Sequence, residues 1–229
     1  MRTHLLFIFI SILFFTSCSK KDTSNNPPPT QVSYLNSNFG STWNYNTNDS
    51  SGAAPKSADY TVTSSSKDTS INSRSYHVYT YSYGGSQYLN ISGHDYYQFD
   101  SLPGGLQAGV FERLYLKDDM AVGGSWSQNL NITVNVSGLP LQVPLTITNT
   151  ITEKGISRTV NNINYSNVIH VTTSISSSLI PGTALTSSID SYYAQKYGLI
   201  ENTSKINLNY LGISQNVNTQ TKLVSSNLK

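Results

Sequence analysis

Alternation of apolar and polar residues is the plainest pattern in the chain. From Asn129 onward, Leu130, Ile132, Val134 and Val136 alternate with Asn129, Asn131, Thr133 and Asn135. Past Ser137-Gly138-Leu139-Pro140 the period returns, with Leu145, Ile147 and Ile151 set against Thr146, Thr148, Thr150 and Thr152. Neighbouring side chains of a strand point to opposite faces, so Asn129–Ile151 predicts a hairpin with one apolar and one polar face. Asn149 interrupts the apolar row and predicts a bulge or an edge. Pro144 has no N–H for a ladder and fits only an edge or a strand start. Further strands are expected over 58–66, 75–83, 94–100, 110–116, 164–175, 187–195, 198–208 and 217–226, with Gly and Pro pairs between many of them. No segment carries apolar residues at i, i+3, i+4 and i+7 over three turns, so helix is expected only in the leader. The fold class is all-β and antiparallel, as a curved sheet, an open barrel or a sandwich.

An internal echo suggests two similar halves, roughly 36–120 and 121–229. Gly40-Ser41-Thr42-Trp43 returns as Gly124-Ser125-Trp126, and Tyr60-Thr61-Val62-Thr63 as Leu145-Thr146-Ile147-Thr148. Ser75–Val78 returns within Asn164–Val171, and Tyr96-Tyr97 as Tyr192-Tyr193. Trp43 and Trp126 should each open a strand and pack into the core of their half, because indole buries a large apolar area. Gly198, ahead of Leu199-Ile200, suits a backbone position with φ > 0 or a close approach.

The N-terminus reads as an address. Leu5–Phe15 is a run of apolar residues and Ser after Arg2. It is far shorter than the ~20 residues of a membrane span, so it reads as the core of a signal peptide, residues 1–17. Thr16-Ser17-Cys18 then resembles the lipobox of bacterial lipoproteins, which implies a diacylglyceryl group on Cys18. Cys18 is the chain's one Cys, so a disulfide framework is excluded. Residues 18–32 hold almost nothing apolar and contain Pro27-Pro28-Pro29, a spacer in extended polyproline II form ahead of the body, 33–229.

Together, Gly40–Trp43, Gly124–Trp126, Asn164–Val171, Tyr192–Ile200 and Leu223–Lys229 resemble a group of Bacteroidetes outer-membrane lipoproteins with duplicated Gly-x-x-Trp β-units. The resemblance implies an all-β protein tethered to the outer membrane by its N-terminal lipid. It carries no activity and no catalytic residue across. Ser19 fits outer-membrane sorting, and the choice between periplasmic and surface leaflet stays open.

Composition narrows the partners. Charged residues are 11% of the chain, the net charge is +2, and 16 residues are Tyr. With no Lys/Arg cluster in the body, nucleic acid is not an expected partner. His77, His94 and His170 lack metal-ligand spacing, and no Gly-x-Ser-x-Gly elbow or phosphate loop is present. Asp118-Asp119 reads as a solvated loop. Neither a catalytic centre nor a metal or cofactor is expected. The expected role is non-catalytic, binding or structural, in the cell envelope, with a glycan or another envelope protein as candidate partner. Two alternatives stand beside it. Tyr79, Tyr81, Tyr83, Tyr96 and Tyr97, among Asn, Gln and Ser, could stack on sugar rings. A strongly curved sheet could instead hold a hydrophobic ligand in a half-barrel cavity.

Overall fold

The computed structural model describes residues 33–101, 110–136 and 139–229. The expected signal peptide, Cys18 and the Pro-rich spacer lie outside the described residues. Contacts divide the chain into Met1–Gln31 and Val32–Lys229, and only the second unit is described below.

Twelve antiparallel strands form a single sheet that curls into a nearly closed barrel. They are β1 (Thr42–Asp49), β2 (Lys56–Ile71), β3 (Arg74–Tyr81), β4 (Ser86–Ser92), β5 (Asp95–Ser101), β6 (Val110–Lys117), β7 (Ser125–Val136), β8 (Leu139–Val160), β9 (Ile163–Ser177), β10 (Leu185–Ala194), β11 (Gly198–Tyr210) and β12 (Ile213–Asn227). Among the described residues no helix occurs.

The strand order is β6-β5-β4-β3-β2-β1-β12-β11-β10-β9-β8-β7. Each half of the chain is therefore a six-stranded meander, and the first and last strands pair in mid-sheet, Trp43 opposite Ser226. Several hairpins close on two residues with φ > 0: Asn72-Ser73, Asn161-Asn162 and Leu211-Gly212. Turns of this hand match the twist of the strands they join.

The free edges, β6 and β7, are joined by side chains. Trp126 Nε1 donates to the Leu114 carbonyl at 2.9 Å, and Gln128 Nε2 donates to the Glu112 carbonyl. Edge carbonyls that would otherwise invite another strand are thus occupied.

Two apolar clusters lie at opposite ends of the strands. Along β8, Val143, Leu145 and Ile147 belong to one cluster, Ile151 and Val160 to the other. The first is aliphatic and drawn mainly from the second meander, with Ile206, Leu208 and Val217 among its members. The second is aromatic and spans both meanders, with Trp43, Tyr45, Tyr79, Tyr115 and Tyr193.

Two local expectations need correction. Asn149 makes no bulge; it is 3% exposed and pairs in register with Trp126 and Thr173. Thr173 Oγ1 donates to its Oδ1 at 2.7 Å, which satisfies the amide oxygen inside the wall. The register slips occur further along, beginning between Ile151 and Glu153. Asp118 is not solvated. Its side chain is 5% exposed, bonded to His94 Nδ1 and to the Tyr96 hydroxyl at 2.6 Å. Pro144 pairs with Asn131 of β7, while pairing of β8 with β9 starts at Leu145, so it does sit on an edge.

Candidate functional site

The aromatic end of the barrel is hollow. A cavity of about 370 Å³ lies between the meanders, within the range of small-molecule sites. Pleating decides which side chains face it. On β1 and β2 these are Trp43, Tyr45, Tyr60 and Val62; on β3 and β4, Tyr79, Tyr81, Gln87 and Leu89. Gln98 of β5 and Arg113 and Tyr115 of β6 continue the row, and Leu89, Gln98 and Arg113 stand opposite one another across the ladders. The second meander supplies Ser191 and Tyr193 from β10 and Leu199, Asn202 and Ser204 from β11.

The rings form a pair and a row. Trp43 meets Tyr79 edge-on at 5.8 Å, and Tyr45 stacks on Tyr60 at 5.5 Å. Tyr60 touches Tyr81 and Tyr83, and Tyr81 stacks on Tyr83 at 4.9 Å. Tyr83 is 70% exposed, so the row runs from the cavity wall out to solvent. Tyr45 and Tyr79 are tethered by their hydroxyls to the carbonyls of Leu199 and Asn36, both at 2.8 Å. Burial holds the Tyr45 and Tyr115 phenols well above their ordinary pKa, and neighbouring phenols add to the effect. Burial also raises Tyr193, while the Arg113 charge pulls it back. The phenols on this wall are neutral hydrogen-bond donors at physiological pH.

Arg113 is the one charged residue on the cavity wall among the described residues. One of its terminal nitrogens, Nη2, donates to Gln98 Oε1 at 3.1 Å, and Gln98 Nε2 donates onward to Asp100 at 2.8 Å. Two buried N–H groups on the wall, Trp43 Nε1 and Arg113 Nε, have no hydrogen-bond partner among the described residues.

The residues singled out in the sequence scatter around this site. Tyr79 and Tyr81 line it, and Tyr83 stands at the end of the aromatic row. Tyr96 is buried beside the cavity, its hydroxyl shared by Asp118 and the Tyr34 amide. Tyr97 lies on the opposite face of β5, with the Arg74 guanidinium 3.7 Å from its ring centre. Trp43 and Trp126 are each the second residue of the first strand in their meander. Trp43 is 4% exposed in mid-sheet, whereas Trp126 holds the seam. Gly198 has φ of 73°, and an added Cβ would stand 3.4 Å from the Tyr34 carbonyl. Tyr96-Tyr97 lies in the fifth strand of its meander and Tyr192-Tyr193 in the fourth, so these pairs occupy different slots. Arg113 went unnoticed in the sequence, although period two sets it between Phe111 and Tyr115 on the inward face of β6.

Side-chain clusters outside the cavity resemble reactive centres without the accessibility one needs. Ser64 Oγ lies 2.8 Å from His77 Nε2, and His77 Nδ1 lies 2.8 Å from Asp68 Oδ1. The spacing is that of a Ser-His-Asp triad, with exposure reversed: Ser64 is 0% exposed and the Asp68 side chain 66%. The Ser64 amide is also committed to the Ser41 carbonyl, so it cannot stabilise an oxyanion. In the second meander, His170 stacks on Tyr192 at 4.1 Å, and Arg158 lies 3.3 Å from the centre of that ring. Arg158 clamps Glu201, while Glu153 and Asp190 take the two nitrogens of His170. This network is satisfied internally.

No protein-family model matches the chain, and no curated protein sequence matches it. Two solved structures are similar to it. One is a candidate lipoprotein of Parabacteroides distasonis, 11% identical, with 85% of this chain and 98% of that one covered at a TM-score of 0.44. The other is a candidate exported protein with a YmcC-like fold from Bacteroides fragilis, 12% identical, with 84% and 98% covered at a TM-score of 0.46.

Proposed function

We propose that this chain is a lipid-anchored cell-envelope protein that holds a small ligand inside its barrel and does not transform it. The observation that carries the reading is the contrast inside one sheet. At the aliphatic end the free space is about 10 Å³, while the aromatic end keeps about 370 Å³ with polar groups on its wall. Interiors normally pack to near-crystalline density, so a void of this size lined by Gln, Asn, Ser and Arg is a binding site before it is a packing defect. The anchor rests on Leu5–Phe15 and Cys18, whose acyl chains would hold the barrel at the outer membrane. Duplication of one six-stranded unit accounts for the two meanders and their matching tryptophans. Of the tyrosines that could stack on sugar rings, Tyr79 and Tyr81 would do so inside the barrel.

The test is competition for the void. The neutral dye Nile red should bind the full chain in detergent, and the double substitution Val62→Trp, Ser204→Phe should abolish binding while leaving the circular dichroism unchanged. Dye binding that survives the filling would remove the interior site. Palmitate labelling that persists in Cys18→Ser would remove the anchor.

A further inference from the structure

Within the reading of the cavity as a ligand site, we propose that Arg113 selects an anion, and that the ligand is a hydroxylated ring bearing a carboxylate, an acidic sugar in chemical class. Three features of the wall fix these terms. First, no Asp or Glu lines the cavity among the described residues, and no carboxylate there comes within ion-pair distance of Arg113. Arg113 is half-buried, and with no carboxylate in ion-pair distance an anionic ligand that closes over it would supply the missing counter-charge. Gln98 fixes the orientation, with its oxygen turned to Arg113 and its nitrogen to Asp100, so its acceptor faces the guanidinium. Arg113 Nε is buried below the wall surface, so a carboxylate would meet the terminal nitrogens of the guanidinium.

Second, the opposite wall is polar. Ser191, Asn202 and Ser204 face the void from β10 and β11. They bond to one another, Asn202 Nδ2 donating to Ser191 Oγ at 3.0 Å and Ser204 Oγ to Asn202 Oδ1 at 2.9 Å. An acyl chain could use none of the acceptor capacity their oxygens keep, whereas ring hydroxyls could. Third, Trp43, Tyr45, Tyr60 and Tyr81 offer flat apolar faces and edges, on which the C–H face of a sugar ring packs. The cavity volume, taken at about 30 Å³ per water, equals roughly a dozen waters, enough for one or two rings.

A matched pair of probes isolates the carboxylate: 4-nitrophenyl β-D-glucuronide and 4-nitrophenyl β-D-glucoside, titrated calorimetrically into the full chain in detergent, with dodecanoate as the acyl comparison. The glucuronide is expected to bind at least about tenfold more tightly than the glucoside, the low end for a hydrogen bond to a charged group. Arg113→Gln should bring that ratio close to one, and Arg113→Lys, which keeps charge but loses the planar fork, should leave an intermediate ratio. Equal binding of both glycosides, or a ratio unchanged in Arg113→Gln, overturns the assignment. Tighter binding of dodecanoate than of the glucuronide overturns the ring and hydroxyl terms. Binding of Nile red without either glycoside overturns this inference and leaves the interior site standing; binding of nothing removes both.

Discussion

The two ends of the barrel share strands yet solve the packing problem differently. At the aliphatic end, Ile147, Ile206, Leu208 and Val217 interdigitate, and Ile180 from the β9–β10 connection is buried among them. Branched aliphatic side chains carry no polar tip, so nothing prevents them from closing on one another. At the aromatic end, hydroxyls hold the rings back. Tyr45 and Tyr79 reach backbone carbonyls at the rim of their environment, and moving either ring inward to fill the void would break that bond. A Tyr-rich core therefore keeps a space that an Ile-rich core would eliminate.

The largest effect that separates the ends is alkaline unfolding. Burial raises the Tyr79, Tyr81 and Tyr115 phenols, and burial with the Asp118 hydrogen bond pushes Tyr96 up to about 12. For these acids the folded chain favours the neutral form. Their stabilisation is complete below the unfolded value of about pH 10 and is lost as pH rises through the folded values. Tyrosinate absorbance and loss of the strand circular-dichroism signal should rise together above that point. Ionisation that runs well ahead of strand loss would mean the aromatic end is solvated, and the contrast with the aliphatic end would shrink.

Truncation gives the next effect. Ile206→Ala, at a site 1% exposed, should cost about 4 kcal/mol in urea unfolding, because a close-packed surround relaxes little. Leu89→Ala, on the cavity wall, should cost nearer 2 kcal/mol, since that side chain already lacks neighbours on one side. Equal losses would show the two ends to be equally packed. The smallest effect comes from enlargement. Val143→Phe should cost about 1–3 kcal/mol where some 10 Å³ is free, whereas Val62→Phe should cost under about 1 kcal/mol beside 370 Å³. A reversed order would place the void elsewhere.

These differences were unevenly legible in the sequence. The β7–β8 hairpin was readable because Leu, Ile and Val alternate with Asn and Thr over many residues, and a long period-two run has few alternatives. β1 and β4 carry little strand signal of their own: β1 offers only Trp43 and Tyr45 as its apolar pair, and β4 little beyond Tyr88, Leu89 and Ile91. Their strand character comes from partners far away in sequence, Leu223 opposite Tyr45 and Tyr97 opposite Asn90. Asn149 read as a fault in the pattern because its stabilising partner, Thr173, belongs to the next strand. The faces of β3 were ambiguous for another reason. Tyr76 and Tyr79 point to opposite sides and both are buried, so alternation could not say which side was inside. The cavity itself had no local signature, since an interior volume is a sum over strands from both meanders.

The seam between β6 and β7 has a mechanical consequence. Every other boundary in the wall is a ladder of backbone bonds, which yields only by losing several at once. Here two side-chain donors, on Trp126 and Gln128, span the gap. Swinging both side chains aside breaks two hydrogen bonds, about 1–3 kcal/mol, and opening the cylinder lengthwise must also part Trp126, Tyr115 and Phe111 from the clusters they pack in. The barrel is in this sense a book with a clasp: side chains close it along one line, and the β1–β12 ladder is the spine on the far side.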